Sequence, residues 1–176
     1  MNVNLGMLLV RLALGPMLFV HGWNKVAGAG GLGGTTGWFH SLGLRPAWLH
    51  ARLAAATELG AGVLVTLGLL TGLGATAFVG LMAVATLTDH RGKGYFVFKG
   101  GCEYTLLVAV VAVALAAVGP GAWSLDRAFG LHLAGTGWAV VALVGGAGAA
   151  GALLAASYRP KPAESNPSSL QAEAEG

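Results

Sequence analysis

ELGAGVLVTLGLLTGLGATAFVGLMAVATLTD, residues 58–89, begins and ends on a carboxylate and carries no charge over the thirty positions from Leu59 to Thr88. A bilayer core about 30 Å thick is crossed by about 20 helical residues. The run is therefore too long for one crossing and predicts two helices joined by a tight turn. Gly68, Gly72 and Gly74 suit such a turn, with Gly72 at its centre. Glu58 then lies inside a membrane. A carboxylate there costs about 2.5 kcal/mol or more unless it faces the bundle interior and finds a partner, which makes Glu58 the leading candidate for a functional group.

The rest of the chain has the same character. Apolar residues make up 55% of the 176 and charged residues 10%, with a mean hydropathy of +0.70. A soluble domain carries about 25% charge, so the composition is that of an integral membrane protein. Apolar runs predict five spans, at about 5–24, 52–71, 73–90, 103–119 and 135–157. The first is read as a retained helix and not a cleaved signal, because residues 1–4 lack a positive charge and Arg11 interrupts the run. The fourth ends at Gly119-Pro120-Gly121, where proline lacks a donor and glycine relaxes the turn. In the fifth, Gly145, Gly146, Gly148 and Gly151 permit close helix packing in lipid. Residues 28–37 are glycine-rich but lack the Lys-Ser/Thr of a phosphate loop, and are expected to form an interfacial or re-entrant connection. The Pro, Ser, Ala and Glu tail, 159–176, is expected to be disordered.

Charge gives the orientation. Lys25, Arg45, Arg52, Arg91, Lys93, Lys99, Arg159 and Lys161 fall on one side of the predicted spans and Arg127 on the other. The positive-inside rule then places the N-terminus outside and the tail in the cytoplasm of a multi-pass membrane protein. The ten Lys and Arg are dispersed, which argues against nucleic acid as a partner. Cys102 is the single cysteine, so an intrachain disulfide and a CxxC redox pair are excluded.

At about 1.5 Å of rise per residue, His21, Glu58, His90 and Glu103 all approach the cytoplasmic side. Helices one to four are expected to converge there on a polar pocket for a ligand or protons, formed by His21, Lys25, Glu58, His90 and Glu103, with Asp89, Arg91 and Tyr95 at its floor. Glu58 is expected to meet His21 or Lys25; a purely structural clasp is the competing reading. Arg11 stands apart near the outer face, where it snorkels, bonds helix-end carbonyls or lines a cavity. His40, His50 and His132 show no ligand spacing and receive no role. Trp38, Phe39, Trp48, Tyr95, Phe96, Phe98, Trp123 and Trp138 read as an interfacial belt. No metal motif is present, haem is not expected, and no catalytic residue is assigned.

These pieces together resemble the DoxX family of small bacterial membrane proteins. The resemblance rests on residues 11–15 (RLALG), 21–25 (HGWNK), Trp38-Phe39, 41–44 (SLGL), 58–62 (ELGAG), 67–71 (LGLLT), His90, Glu103-Tyr104 and 119–126 (GPGAWSLD), and spans about 5–127. It implies an all-α architecture in which residues 1–127 form a four-helix DoxX-like membrane domain. Residues 128–158 then add a fifth transmembrane helix and 159–176 the tail. The family takes its name from a membrane subunit of a thiosulfate:quinone oxidoreductase, and a mycobacterial relative belongs to a membrane oxidoreductase complex in oxidative-stress defence. The resemblance thus implies a membrane component of a redox system, not catalytic alone, with quinone as its small partner. Expected partners are the bilayer and a membrane or cytoplasmic oxidoreductase, with a homo-oligomer left open. A small transporter with a polar path along Arg11, His21 and Glu58, or a structural scaffold, are the alternatives.

Overall fold

The computed structural model describes residues 2–160, and among these the regular structure is helical. The tail from 161 onward, with Lys161, lies outside the described residues. In chain order the helices are α1 Asn2–Ala27, α2 Gly31–Ser41, α3 Ala47–Leu67, α4 Thr71–Leu87, α5 Glu103–Val118, the single turn α6 Leu125–Ala128, and α7 Thr136–Ser157. Helices α1 and α7 are each long and apolar enough to cross a membrane, and α4 and α5 are shorter apolar helices. Leu9, Val20, Leu107, Val110 and Val144 are each more than half exposed on the outside of the bundle. So much apolar surface turned outward fits lipid and not water as the surrounding solvent.

Helix α1 packs chiefly on α3, and α4 lies against α3, α5 and α7. The interior joins Leu14, Leu18, Ala61, Val65, Phe78, Val79, Val108, Leu115 and Ala142 in one core cluster. A second cluster, Phe39, Leu44, Ala47 and Ala51, lies where α2 and the start of α3 meet the end of α7. Arg45 N donates to Ser157 O at 2.9 Å and Arg159 N to Gly43 O at 2.7 Å, tying α7 to the α2–α3 connection.

Two expectations are corrected. The α3–α4 turn sits at residues 68–70, and Gly72 and Gly74 lie within α4. Gly68 closes α3 with φ 63°, a left-handed conformation that glycine adopts without strain, and Leu70 follows with φ 49°. The turn is fixed from a distance: Asp126 accepts hydrogen bonds from Leu70 N at 2.7 Å and Thr71 N at 2.9 Å, capping α4. Gly72 instead admits Trp138, whose ring atoms would lie 2.5 Å from any Cβ there.

The glycine-rich connection between α1 and α3 contains a helix, α2. Tertiary contact overrides its poor helix propensity: Phe39 is buried, and Thr35 Oγ1 donates to Lys25 O at 3.0 Å. Phe39 and Trp138 leave the interfacial belt, because both pack against core clusters. Of the α7 glycines, Gly146 makes the close approach: a Cβ on it would lie 2.7 Å from Thr76 O, whereas Gly148 and Gly151 have nothing within 4 Å.

Candidate functional site

The approach of α1 to α3 is set by small residues. A Cβ on Gly22 would lie 2.9 Å from Glu58 Cβ, and one on Gly62 would lie 2.7 Å from Phe19 N, so neither position tolerates a side chain without the helices separating. That contact brings Lys25, one turn beyond Gly22, to Glu58. Lys25 Nζ lies 2.8 Å from Glu58 Oε1 and 2.7 Å from Oε2, with side chains only 13% and 10% exposed. The Oε1 contact has hydrogen-bond geometry; Oε2 is buried and held by charge alone. The ammonium also stands 5.9 Å from the ring centroid of Trp38. Glu58 therefore meets Lys25, one of its two expected partners.

The pair borders a cavity of about 720 Å³. His21, Lys25, Glu58 and His90 all line it, as do Thr88 and Asp89. His50, Thr57, Tyr104 and Thr105 line it as well, and away from these groups the walls are apolar but for Thr76, from Leu18 and Leu81 to Leu73 and, on α7, Ala149 and Leu153. Between Leu73 and Ala85 the cavity follows α4 for about 18 Å at about 1.5 Å per residue. On one flank Tyr104 Oη donates to Met17 Sδ at 2.8 Å, bridging α1 and α5 where they otherwise barely meet.

His90 Nδ1 lies 2.6 Å from Gly100 O. A carbonyl only accepts, so Nδ1 carries the hydrogen and Nε2 of the neutral ring is an acceptor. Asp89 pairs with Lys93 at 3.6 Å.

Of the residues expected in the pocket or at its floor, Glu103, Arg91 and Tyr95 do not line the cavity, and Arg11 stands apart from it. Glu103 does not line the cavity: Oε2 accepts from Val97 N at 3.0 Å, and Glu103 N donates to Tyr95 O at 2.8 Å, so the first residue of α5 folds the α4–α5 loop back on itself. A carboxylate in a first helical turn is favoured there by the helix dipole in any case. Arg11 is at the other end of the bundle, 2% exposed, and Nη2 donates to Trp123 O at 2.6 Å. Its guanidinium covers Gly68, which has no room for a side chain, and Nε and Nη1 have no partner among the described residues. Of the three placements open to it, the carbonyl bond is the one observed, with a loop carbonyl in place of a helix end. Asp126, 1% exposed, lies in the same cluster.

His50, which received no role from the sequence, belongs to the site. It is 8% exposed, lies in the cavity wall, and its Nε2 is 3.2 Å from Arg45 O. The available signal was its position on α3, two four-residue steps before Glu58 through Ala54, which places all three on one face.

The DoxX family model matches residues 6–91, the stretch that contributes His21, Lys25, Glu58 and His90. A Bacillus subtilis (strain 168) protein with the name "Putative oxidoreductase CatD" is 35% identical over 127 residues, covering 71% of this chain and 87% of that protein. The chain belongs to the DoxX family. No solved structure matches it. In this DoxX protein the cavity is not built from the family-matched stretch alone, because Tyr104, Thr105, Gly146, Ala149, Ala150 and Leu153 also line it.

Proposed function

We propose that this DoxX protein is the membrane part of a redox system and binds a quinone headgroup at the Lys25–Glu58 end of its cavity. The observation that carries the reading is the distribution of polarity: one long cavity, ionised and hydrogen-bonding groups gathered at one end, apolar walls beyond. An amphiphile with a carbonyl-bearing ring suits that distribution, since Lys25 and His21 can donate to carbonyl oxygens and Glu58 can exchange a proton. Reduction of a quinone takes two electrons and two protons. The residues gathered here suit proton transfer, and an oxidoreductase partner would supply the electrons. A permeation path for ions would instead need water-binding groups along its length, which the apolar walls do not offer.

In this reading α1, α3, α4, α5 and α7 cross the inner membrane. Lys25, Arg45, Arg52, Arg91, Lys93, Lys99 and Arg159 belong to helix ends or connections on the cavity's polar side, with Arg127 opposite, which supports a cytoplasmic placement of that side. The test is gentle purification from native membranes followed by mass spectrometry of the extracted lipid-soluble fraction. Quinone recovered near one per chain, and lost in Lys25→Met, is the expected result. A folded wild-type protein that retains no quinone and shows no saturable quenching of tryptophan fluorescence by added quinone overturns the proposal.

A further inference from the structure

Three arginines from separate parts of the chain gather round one tyrosine at the polar end of the bundle. Leu44 and Tyr158 form an antiparallel bridge. The two backbone bonds that tie Arg45 to Ser157 and Arg159 to Gly43 hold it, so Arg45 and Arg159 lie on either side of the Leu44–Tyr158 pair. Gly43 permits the approach: its φ is 92°, and a Cβ on it would lie 2.7 Å from Arg159 O. From the connection after α4, Arg91 brings its guanidinium carbon 5.9 Å from the centre of the Tyr158 ring. Arg45, Arg91, Tyr158 and Arg159 are not part of the cavity wall, so this seam is separate from the site described above.

Like charges brought together repel, and no acid in the seam offsets them. Among the described residues the ion pairs are Lys25–Glu58 and Lys93–Asp89, so none of the three arginines has a carboxylate within 4 Å, and Asp89 is engaged with Lys93. Arg159 turns to the last carbonyls of α7, donating to Tyr158 O at 2.9 Å and to Ala156 O at 3.2 Å, and Arg45 has one long bond of 3.4 Å to His40 O. Arg91 is exposed and donates to no acceptor among the described residues, so the whole of its planar fork can serve a ligand.

Depth selects the anion. Helix α7 has 22 residues, about 33 Å of rise, which matches a hydrocarbon core of about 30 Å and places the layer of lipid phosphates where the helix ends. Tyr158 and Arg159 follow its last residue, Arg91 comes four positions after the end of α4, and Arg45 two before the start of α3. A positive-inside bias requires charge alone, not guanidinium groups fixed round a ring by backbone bonds. The arginine fork matches phosphate oxygens in pairs, and basic pockets between membrane helices hold anionic headgroups. We infer that Arg45, Arg91 and Arg159 form a binding site for the phosphate of an anionic phospholipid, with Tyr158 as its aromatic wall. A lipid held there bridges the ends of α3, α4 and α7 and clasps α7 to the rest of the bundle.

The experiment is competitive lipid retention. The full chain is exchanged into mixed micelles with equal amounts of phosphatidylglycerol and phosphatidylcholine and recovered by affinity, and its bound lipids are counted by mass spectrometry. Wild type should retain phosphatidylglycerol in preference, near one per chain. Arg91→Gln loses hydrogen bonds to a charged group and should lower that preference about tenfold. Arg45→Gln, from another segment of the seam, should do the same and keeps the test decisive if one variant fails to fold. Lys99→Gln removes an equal charge from the same end of the bundle, over the Phe98 ring, and should change the preference about twofold or less. Inorganic phosphate in excess, at fixed ionic strength, should leave the lipid bound. No preference in wild type overturns the site, and so does a loss in Lys99→Gln equal to that in Arg91→Gln, which is what a diffuse surface field gives. Release of the lipid by inorganic phosphate overturns the assignment to a phospholipid.

Discussion

Replacing Lys25 by methionine tests the electrostatic core of the site. With both carboxylate oxygens within 2.8 Å of the ammonium and both side chains at most 13% exposed, the gross attraction is about 6 kcal/mol at an effective dielectric near 20. Most of that offsets the desolvation of the two charges. The methionine variant keeps the stem but strands Glu58, and a buried charge without its partner costs about 3–5 kcal/mol. In a chain of this size that corresponds to a melting temperature lower by roughly 6–20 °C. Glu58→Leu strands the ammonium to a similar extent. The double variant Lys25→Met/Glu58→Leu removes both charges and should recover to within about 1 kcal/mol of wild type, leaving a coupling energy of several kcal/mol. The assay is reversible unfolding in mixed micelles, with dye labelling of Cys102, the single cysteine, as a second probe of opening. A loss below about 0.5 kcal/mol in Lys25→Met, or a double variant as unstable as the sum of the singles, would refute a buried, mutually dependent pair.

Asp126→Ala removes the cap from α4 and two hydrogen bonds to a carboxylate, and should cost about 2–4 kcal/mol, measured by the same unfolding assay; an unchanged midpoint would show that the α3–α4 turn holds itself. A cysteine at Ser165, in a Cys102→Ser background, should resist an impermeant thiol reagent in intact cells and react after lysis; labelling of intact cells would reverse the topology. In cells assayed for redox-stress resistance at matched membrane abundance, His21→Ala and Glu58→Gln should each remove most activity and the pair little more, because groups acting on one ligand are non-additive; full activity in the double variant would reduce the pocket to architecture.

The composition and the uncharged run after Glu58 were enough to establish an all-helical membrane protein, because lipid offers no partner for an open backbone and leaves helices as the local solution. The need of Glu58 for a basic partner was legible for the same reason: burying an unpaired charge is costly wherever the helices go. Local signals also placed the end of α5 at Gly119 and the position of α7. What the sequence could not reveal depends on contacts between residues far apart in the chain. Asp126 decides where α4 begins from more than fifty positions away, so a turn read from local glycines fell a few residues late. Segment 31–41 is helical because Phe39 and Thr35 dock on neighbouring helices, against its own propensity. Glu103 was expected at the depth of the pocket residues but turns to its own loop, where it accepts from the backbone N–H of Val97. His50 joins the cavity, and α7 closes it, only because glycine contacts let helices approach; proximity of that kind is a property of the packed bundle and is carried by no single stretch of the chain.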